Sequence, residues 1–195
     1  MLDADGLNRL AELGQGLESG ASQWLRQRQG PTWLTPHRAE FARLFPDLAG
    51  LAPLKAAAAA AQASTATVLL KGAHSVIATA DGRRWQLAET CPGAARAGLG
   101  DVLAGYAAGR GAMAVAAQRA VAAERAAAGN QPVAANQRHQ APPALRLDGA
   151  LLAAAALNHA LAGCQAHRRG GPGGATPMAV AAALATQSVD QSAQI

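Results

Sequence analysis

The chain has 195 residues; 50% are hydrophobic but only 3% aromatic, and its formal net charge at pH 7 is +5. That hydrophobic share argues against wholesale disorder, and the alanine-rich, aromatic-poor balance predicts a core of Ala, Leu and Val in close helix packing rather than a β-sandwich. No run is apolar enough to span a bilayer, and Cys91 and Cys164 form no CxxC pair, which argues for reduced thiols rather than a disulfide framework or zinc site.

The opening Met1-Leu2-Asp3-Ala4-Asp5 carries acids where a signal peptide needs positive charge, so a cytoplasmic protein is expected. Leu7, Leu10, Leu13 and Leu17 recur at helical spacing and predict an amphipathic helix over 7–17. Thr32 to Thr35 reads as a short extended run that Pro36 ends, because the residue before a proline avoids the helical region. Helices are predicted over 39–45 and 48–63, the latter with an all-alanine centre.

The β signal lies in the middle of the chain. Residues 65–70 form a buried-strand pattern, 75–79 a second strand, and 84–87 a third, with Gly72 and Asp81-Gly82 as breakers. A glycine-bearing loop over 90–100 precedes a helix at 101–108. Further helices are expected at 114–128, 151–162 and 177–185. The stretch 129–147, rich in Asn, Gln, Pro and Arg, reads as a flexible insertion, and 187–195 as a disordered tail, so the domain spans 1–186.

The strongest chemical signal is Gly98-Leu99-Gly100-Asp101. Glycines before a helix start let backbone N–H groups approach an anion, and the helix N-terminus adds partial positive charge. Asp101 would open that helix, either as a proton acceptor beside a phosphate or as an ordinary N-cap. Lys71-Gly72-Ala73-His74-Ser75 joins two strands. It suits phosphate and ribose oxygens, or it is a hairpin with a solvated lysine. His37 follows a strand end, where ligands gather in open α/β sheets; it is a ligand contact or a cap. For His159, on an alanine-rich helix, a satisfied interhelical or surface role is expected. Arg110, Arg119, Arg125 and Arg138 make a basic region without interleaved aromatics, so a solvated face is expected and no nucleic-acid partner.

These pieces occur in a recognisable order: Leu2-Asp3-Ala4-Asp5-Gly6-Leu7-Asn8, Leu34-Thr35-Pro36-His37 with Glu40-Phe41-Ala42-Arg43-Leu44, Val68 to Ala73, and Gly98 to Gly105. Together they resemble the ADP-dependent NAD(P)H-hydrate dehydratases of the ribokinase-like superfamily. The resemblance covers roughly residues 2–105, and more weakly 155–163 and 175–185. It implies an α/β fold, a ribokinase-like three-layer sandwich with a helix-rich carboxy-terminal region. It implies a lyase that uses ADP, with Mg²⁺, to phosphorylate the hydroxyl of the (6S)-hydrate and then eliminates phosphate, giving NADH or NADPH plus AMP. Carried over by position, His37 and Asp101 match hydrate-contacting residues, with Asp101 in the catalytic position. Lys71, Gly72, Ala73, His74, Ser75 and Gly100 match the adenine-nucleotide site. No metal ligand is assigned. An NAD(P)H-hydrate epimerase and a second copy of the chain are the expected partners, and no membrane is.

The departures are specific. Arg38-Ala39 stands where the family has Pro-Gly after its histidine, and Arg96 brings a bulky cation to the approach of the glycine loop. Met1 falls in the middle of the family's domain. The expectation is a carboxy-terminal portion with an exposed edge on an open parallel sheet, incomplete as a catalyst alone. The alternatives are a small-molecule kinase of the same superfamily and a non-catalytic remnant.

Overall fold

Residue alternation sets the layers. In the computed structural model, which describes residues 1–88, 91–127 and 148–192, four strands form one sheet in chain order: β1 (Trp33–Leu34), β2 (Thr67–Leu70), β3 (Val76–Ala78) and β4 (Arg84–Gln86). Leu34, Val68, Leu70, Val76 and Ala78 point to one face. There they join α1 (Asp5–Glu12), α2 (Gly20–Arg26), α3 (Arg38–Leu44) and α4 (Pro53–Ser64) in one buried cluster. Trp33, Leu69 and Ile77 point to the other face, against α5 (Leu99–Ala127) and α6 (Gly149–Gly170). This is the period of two expected of strands buried on both sides. Each fully buried Leu, Ile or Val contributes roughly 1.5–3 kcal/mol by leaving water. The result is the expected three-layer α/β architecture. α7 (Pro177–Ser192) packs on α5 and α6 around Leu99, Ala162, Val180 and Leu184.

The sheet is mixed, where a parallel one was expected. β1 and β2 are parallel, but β2–β3 and β3–β4 are antiparallel. The reason is connection length. Residues 35–66 leave room for a helical crossover, whereas 71–75 and 79–83 permit only hairpins. The outer edge of β1 is not bare either. Leu2 pairs in parallel with Leu34: its N–H donates to the Trp33 carbonyl at 2.8 Å, and the Thr35 N–H donates to the Leu2 carbonyl at 3.1 Å.

Helix boundaries also moved. The predicted 7–17 helix stops at Glu12, and Gly14 and Gly16 follow with positive φ. α2 was not foreseen; the Ser19 side chain caps it by accepting from Ser22 N–H. The predicted 48–63 helix is a 3-10 turn at Pro46–Leu48 followed by α4, with Pro53 in its first turn. Ala56, Ala57, Ala60 and Ala61 are buried, and these short side chains bring α4 close to β2 and β3. The two helices expected at 101–108 and 114–128 are one helix of 29 residues, α5. α7 runs on through Ser192 rather than ending at 185. The insertion read at 129–147 lies outside the described residues.

The hairpin β3–β4 is tied to α6. Arg83 donates to Asp81 at 2.9 Å and to Asp148 at 3.1 Å, and Asp148 caps α6 by accepting from Leu151 N–H. Gly149 meets the sheet so closely that a Cβ there would strike Thr79 and Trp85.

Candidate functional site

The parallel strands β1 and β2 end side by side. Pro36 and His37 follow one end and Lys71 the other, and the Lys71 N–H donates to the Pro36 carbonyl at 2.8 Å. This is the edge where open α/β sheets collect ligands.

His37 turns out to be a cap. Its Nδ1 accepts from the N–H groups of Ala39 and Glu40 at 3.1 and 3.2 Å, while the Glu40 carboxylate accepts from His37 N–H at 2.8 Å. This reciprocal box satisfies the orphan donors of the first turn of α3. The Nε2 edge lies 3.4 Å from Glu40 Oε1, and just over half of the side chain stays exposed. Capping thus fixes the ring orientation and leaves an open face beside the Lys71 turn.

Lys71 is held from an unexpected direction. Its ammonium lies 2.7 Å from Asp3 Oδ1, with both side chains mostly buried. A Cβ built on Gly100 would stand 3.7 Å from the same Nζ. The lysine therefore bridges the chain start and the first turn of α5. Ser75 shapes the turn itself: its Oγ accepts from Gly72 N–H and donates to the Gly72 carbonyl, both at 3.2 Å.

These groups line a cavity of about 480 Å³. Lys71, Gly72, Ala73 and Ser75 form one wall, Leu99, Gly100 and Leu103 of α5 another, and Ala156, His159 and Ala160 of α6 a third; Cys91, Pro92 and Arg96 form the rim. Its shape depends on close contacts. Gly98 has φ +82 and lies where a Cβ would approach Pro177 to 2.9 Å, and a Cβ on Gly93 would strike the His167 ring. The first N–H groups of α5 have no intrahelical acceptors and give this end partial positive charge.

The expected site residues are only partly gathered. Lys71, Gly72, Ala73, Ser75 and Gly100 share the cavity. His74 lines a neighbouring, more apolar cavity of about 390 Å³ with Arg38, Phe41, Leu51 and Leu70; Lys71, Gly72 and Ala73 separate the two. Asp101 is exposed on the first turn of α5, and His37 is exposed at the β1 end; neither lines either of these two cavities. Sequence reasoning missed two contributors. Asp3 was visible only as part of a motif. His159 was expected to be satisfied, yet its Nε2 is buried without a partner among the described residues. Burial pushes its imidazole below the ordinary value, with a backbone hydrogen bond at Leu99 acting in the opposite direction. Asn158-His159 interrupting an alanine-rich helix was the available signal.

Among the described residues no group of three His, Cys, Asp or Glu side chains gathers to hold a metal. No described helix is long and apolar enough to cross a membrane.

Among solved structures, a ribokinase-like superfamily protein of Enterococcus faecalis superposes with TM-score 0.56 at 22% identity, covering 96% of this chain and 59% of its own. Bacillus subtilis YxkO, a member of the UPF0031 family, superposes with TM-score 0.57 at 17% identity, covering 94% and 71%. At these identities the likeness shows the ribokinase-like fold. Among curated proteins, the bifunctional NAD(P)H-hydrate repair enzyme of Synechocystis is 47% identical over 109 residues, 56% of this chain and 20% of the relative. The enzyme of the same name from Gloeobacter violaceus is 48% identical over 105 residues, 54% and 19%. The matches thus span about a fifth of the length of these relatives. The family model described as NAD(P)H-hydrate dehydratase matches residues 1–151, most of the chain, and the protein accordingly belongs to that family.

Proposed function

We propose that this protein acts in the ADP-dependent dehydration of (6S)-NAD(P)H-hydrate to NAD(P)H, with release of AMP and phosphate. The observation that carries the reading is the cavity in which the Lys71–Ser75 turn faces Gly100 at the start of α5. That pairing offers backbone N–H groups and a helix N-terminus to a nucleoside diphosphate, with Lys71, held by Asp3, in the same wall.

In this reading Lys71, Gly72, Ala73, Ser75 and Gly100 hold the adenine nucleotide, with His74 at the outer side of the same turn. Asp101, exposed beside the phosphate end, accepts the proton of the hydrate hydroxyl as that oxygen attacks the terminal phosphoryl group of ADP; AMP leaves. His37, fixed by its cap, contacts the hydrate. Loss of the phosphate, together with a proton from the adjacent ring carbon that passes to solvent, then restores the ring double bond of the dihydronicotinamide. Mg²⁺, when bound to the phosphates, would offset the charge of the transferred group. An epimerase that supplies the (6S) form is the matching partner, and a cytoplasmic location and self-association fit the same reading.

The test combines purified chain, (6S)-NADH-hydrate, ADP and Mg²⁺, and follows NADH absorbance together with AMP. NADH and AMP appearing in equal amounts is the expected result. The position of Asp101 beside Gly100 also suits phosphorylation of other hydroxyls. ATP-dependent release of ADP with a small alcohol and no NADH formation would favour a kinase. Absence of both turnover and nucleotide binding would favour a non-catalytic remnant.

A further inference from the structure

We propose that Arg96 is the phosphate-gripping cation of the 480 Å³ cavity, a role that deepens the nucleotide reading above and rests on it. The charge arrangement leads there. The lysine of this cavity is already matched, because Asp3 holds the Lys71 ammonium at 2.7 Å. Arg96 stands on the rim of the same cavity with an exposed side chain. No ion pair or side-chain hydrogen bond joins it to a described residue. The described residues lining the cavity include no carboxylate. His159 adds an imidazole whose Nε2 is buried without a partner among the described residues. The cavity lining thus presents an uncommitted guanidinium, a ring nitrogen without a partner among the described residues and the first turn of α5, while Asp3, paired with Lys71, and Asp101, exposed on that turn, stand outside the lining.

The backbone carrying Arg96 is fixed. The 3-10 turn Pro92–Ala94 packs on α6, where a Cβ on Gly163 would approach Ala94 to 2.9 Å. Downstream, Leu99 N–H donates to the Arg96 carbonyl at 3.4 Å and joins it to the start of α5. The guanidinium lies beside Gly173, which has φ +111; a Cβ there would sit 3.5 Å from Arg96 Nη2. The glycine turn before α7 therefore leaves room for the planar fork. A guanidinium presents paired N–H donors that match two phosphate oxygens at once, which an ammonium cannot do. The ligand class is a terminal phosphate or diphosphate.

Calorimetry on the intact chain tests this with three probes: ADP, inorganic pyrophosphate and adenosine. Arg96→Ala should weaken ADP and pyrophosphate about ten- to a hundredfold, the scale of a lost charge-assisted contact, and leave adenosine unchanged. Arg96→Lys should recover part of the loss. ADP binding that stays within about twofold in Arg96→Ala overturns the proposal and leaves the nucleotide reading standing. Pyrophosphate binding that needs Arg96, in a chain that does not bind ADP, keeps the proposal and removes the nucleotide. Failure of the parent chain to bind either anion overturns both.

Discussion

The Lys71 ammonium and the Asp3 carboxylate meet at 2.7 Å across 68 positions of sequence, and this pair joins the segment before α1 to the turn after β2. Both side chains are mostly withdrawn from water, at 20% and 13% exposure. Such a pair retains more of its attraction than a fully solvated one, and losing one member leaves the other poorly compensated.

A double-mutant cycle should expose that coupling. Asp3→Asn and Lys71→Met should each lower stability by about 1–2 kcal/mol, and the double variant should lose clearly less than the sum. Urea unfolding of the four proteins measures it. Strict additivity would mean that the two residues stabilise the chain independently.

Asp101 is exposed and makes no ion pair with a described residue, so its charge adds only the roughly 0.3–1 kcal/mol of a first-turn carboxylate. Asp101→Asn should therefore unfold close to the parent and bind ADP like the parent. Its dehydration rate should fall by about a hundredfold or more, the usual consequence of removing a general base. Parallel measurement of Tm, ADP affinity and NADH production separates these effects. Unchanged turnover would remove Asp101 from the reaction.

His159 gives a pH dependence of defined sign. Burial lowers its folded-state pKa from the ordinary 6.5, so the unfolded chain binds more protons at this position in mildly acidic solution. Stability contributed by the neutral ring is complete above about pH 6.5. It falls as the pH drops below that value, and levels off once the pH passes beneath the folded-state pKa. His159→Gln should lose less stability than the parent between pH 7.5 and the mildly acidic range. Denaturant titrations of both proteins across that range provide the comparison. Identical pH profiles would show that the ring does not titrate differently on folding.

Much of the local structure was legible from residue order. The β-branched and leucine-rich run at 67–70 became β2. Lys71 to Ser75 became the turn after it, and Gly98-Leu99-Gly100 became the entry and first residues of α5. These are short-range properties. A strand needs an apolar run bounded by breakers, and a tight helix start needs a glycine such as Gly98 at φ +82. The reach of α5 was not legible. Gly105, Gly109 and Gly111 each weaken a helix by about 1 kcal/mol relative to alanine, so local reading divided it. Burial of Ala107 and Ala114 beneath the sheet and α6 carries the helix through.

The sequence by itself determined which segments present phosphate-binding chemistry, because backbone N–H groups, glycine freedom and a helix start are set within a few residues. Only the tertiary structure decided which charges meet there. Asp3 neutralises Lys71 because Leu2 pairs with Leu34 of β1 and β1 pairs with β2, and His37 is turned by a cap that Glu40 completes. His159 reaches the cavity because small residues such as Ala155, Ala156 and Ala162 let α6 lie close to its neighbours. Electrostatic pairing and desolvation depend on distances of a few ångströms between residues remote in the chain, and those distances exist only once the layers have packed.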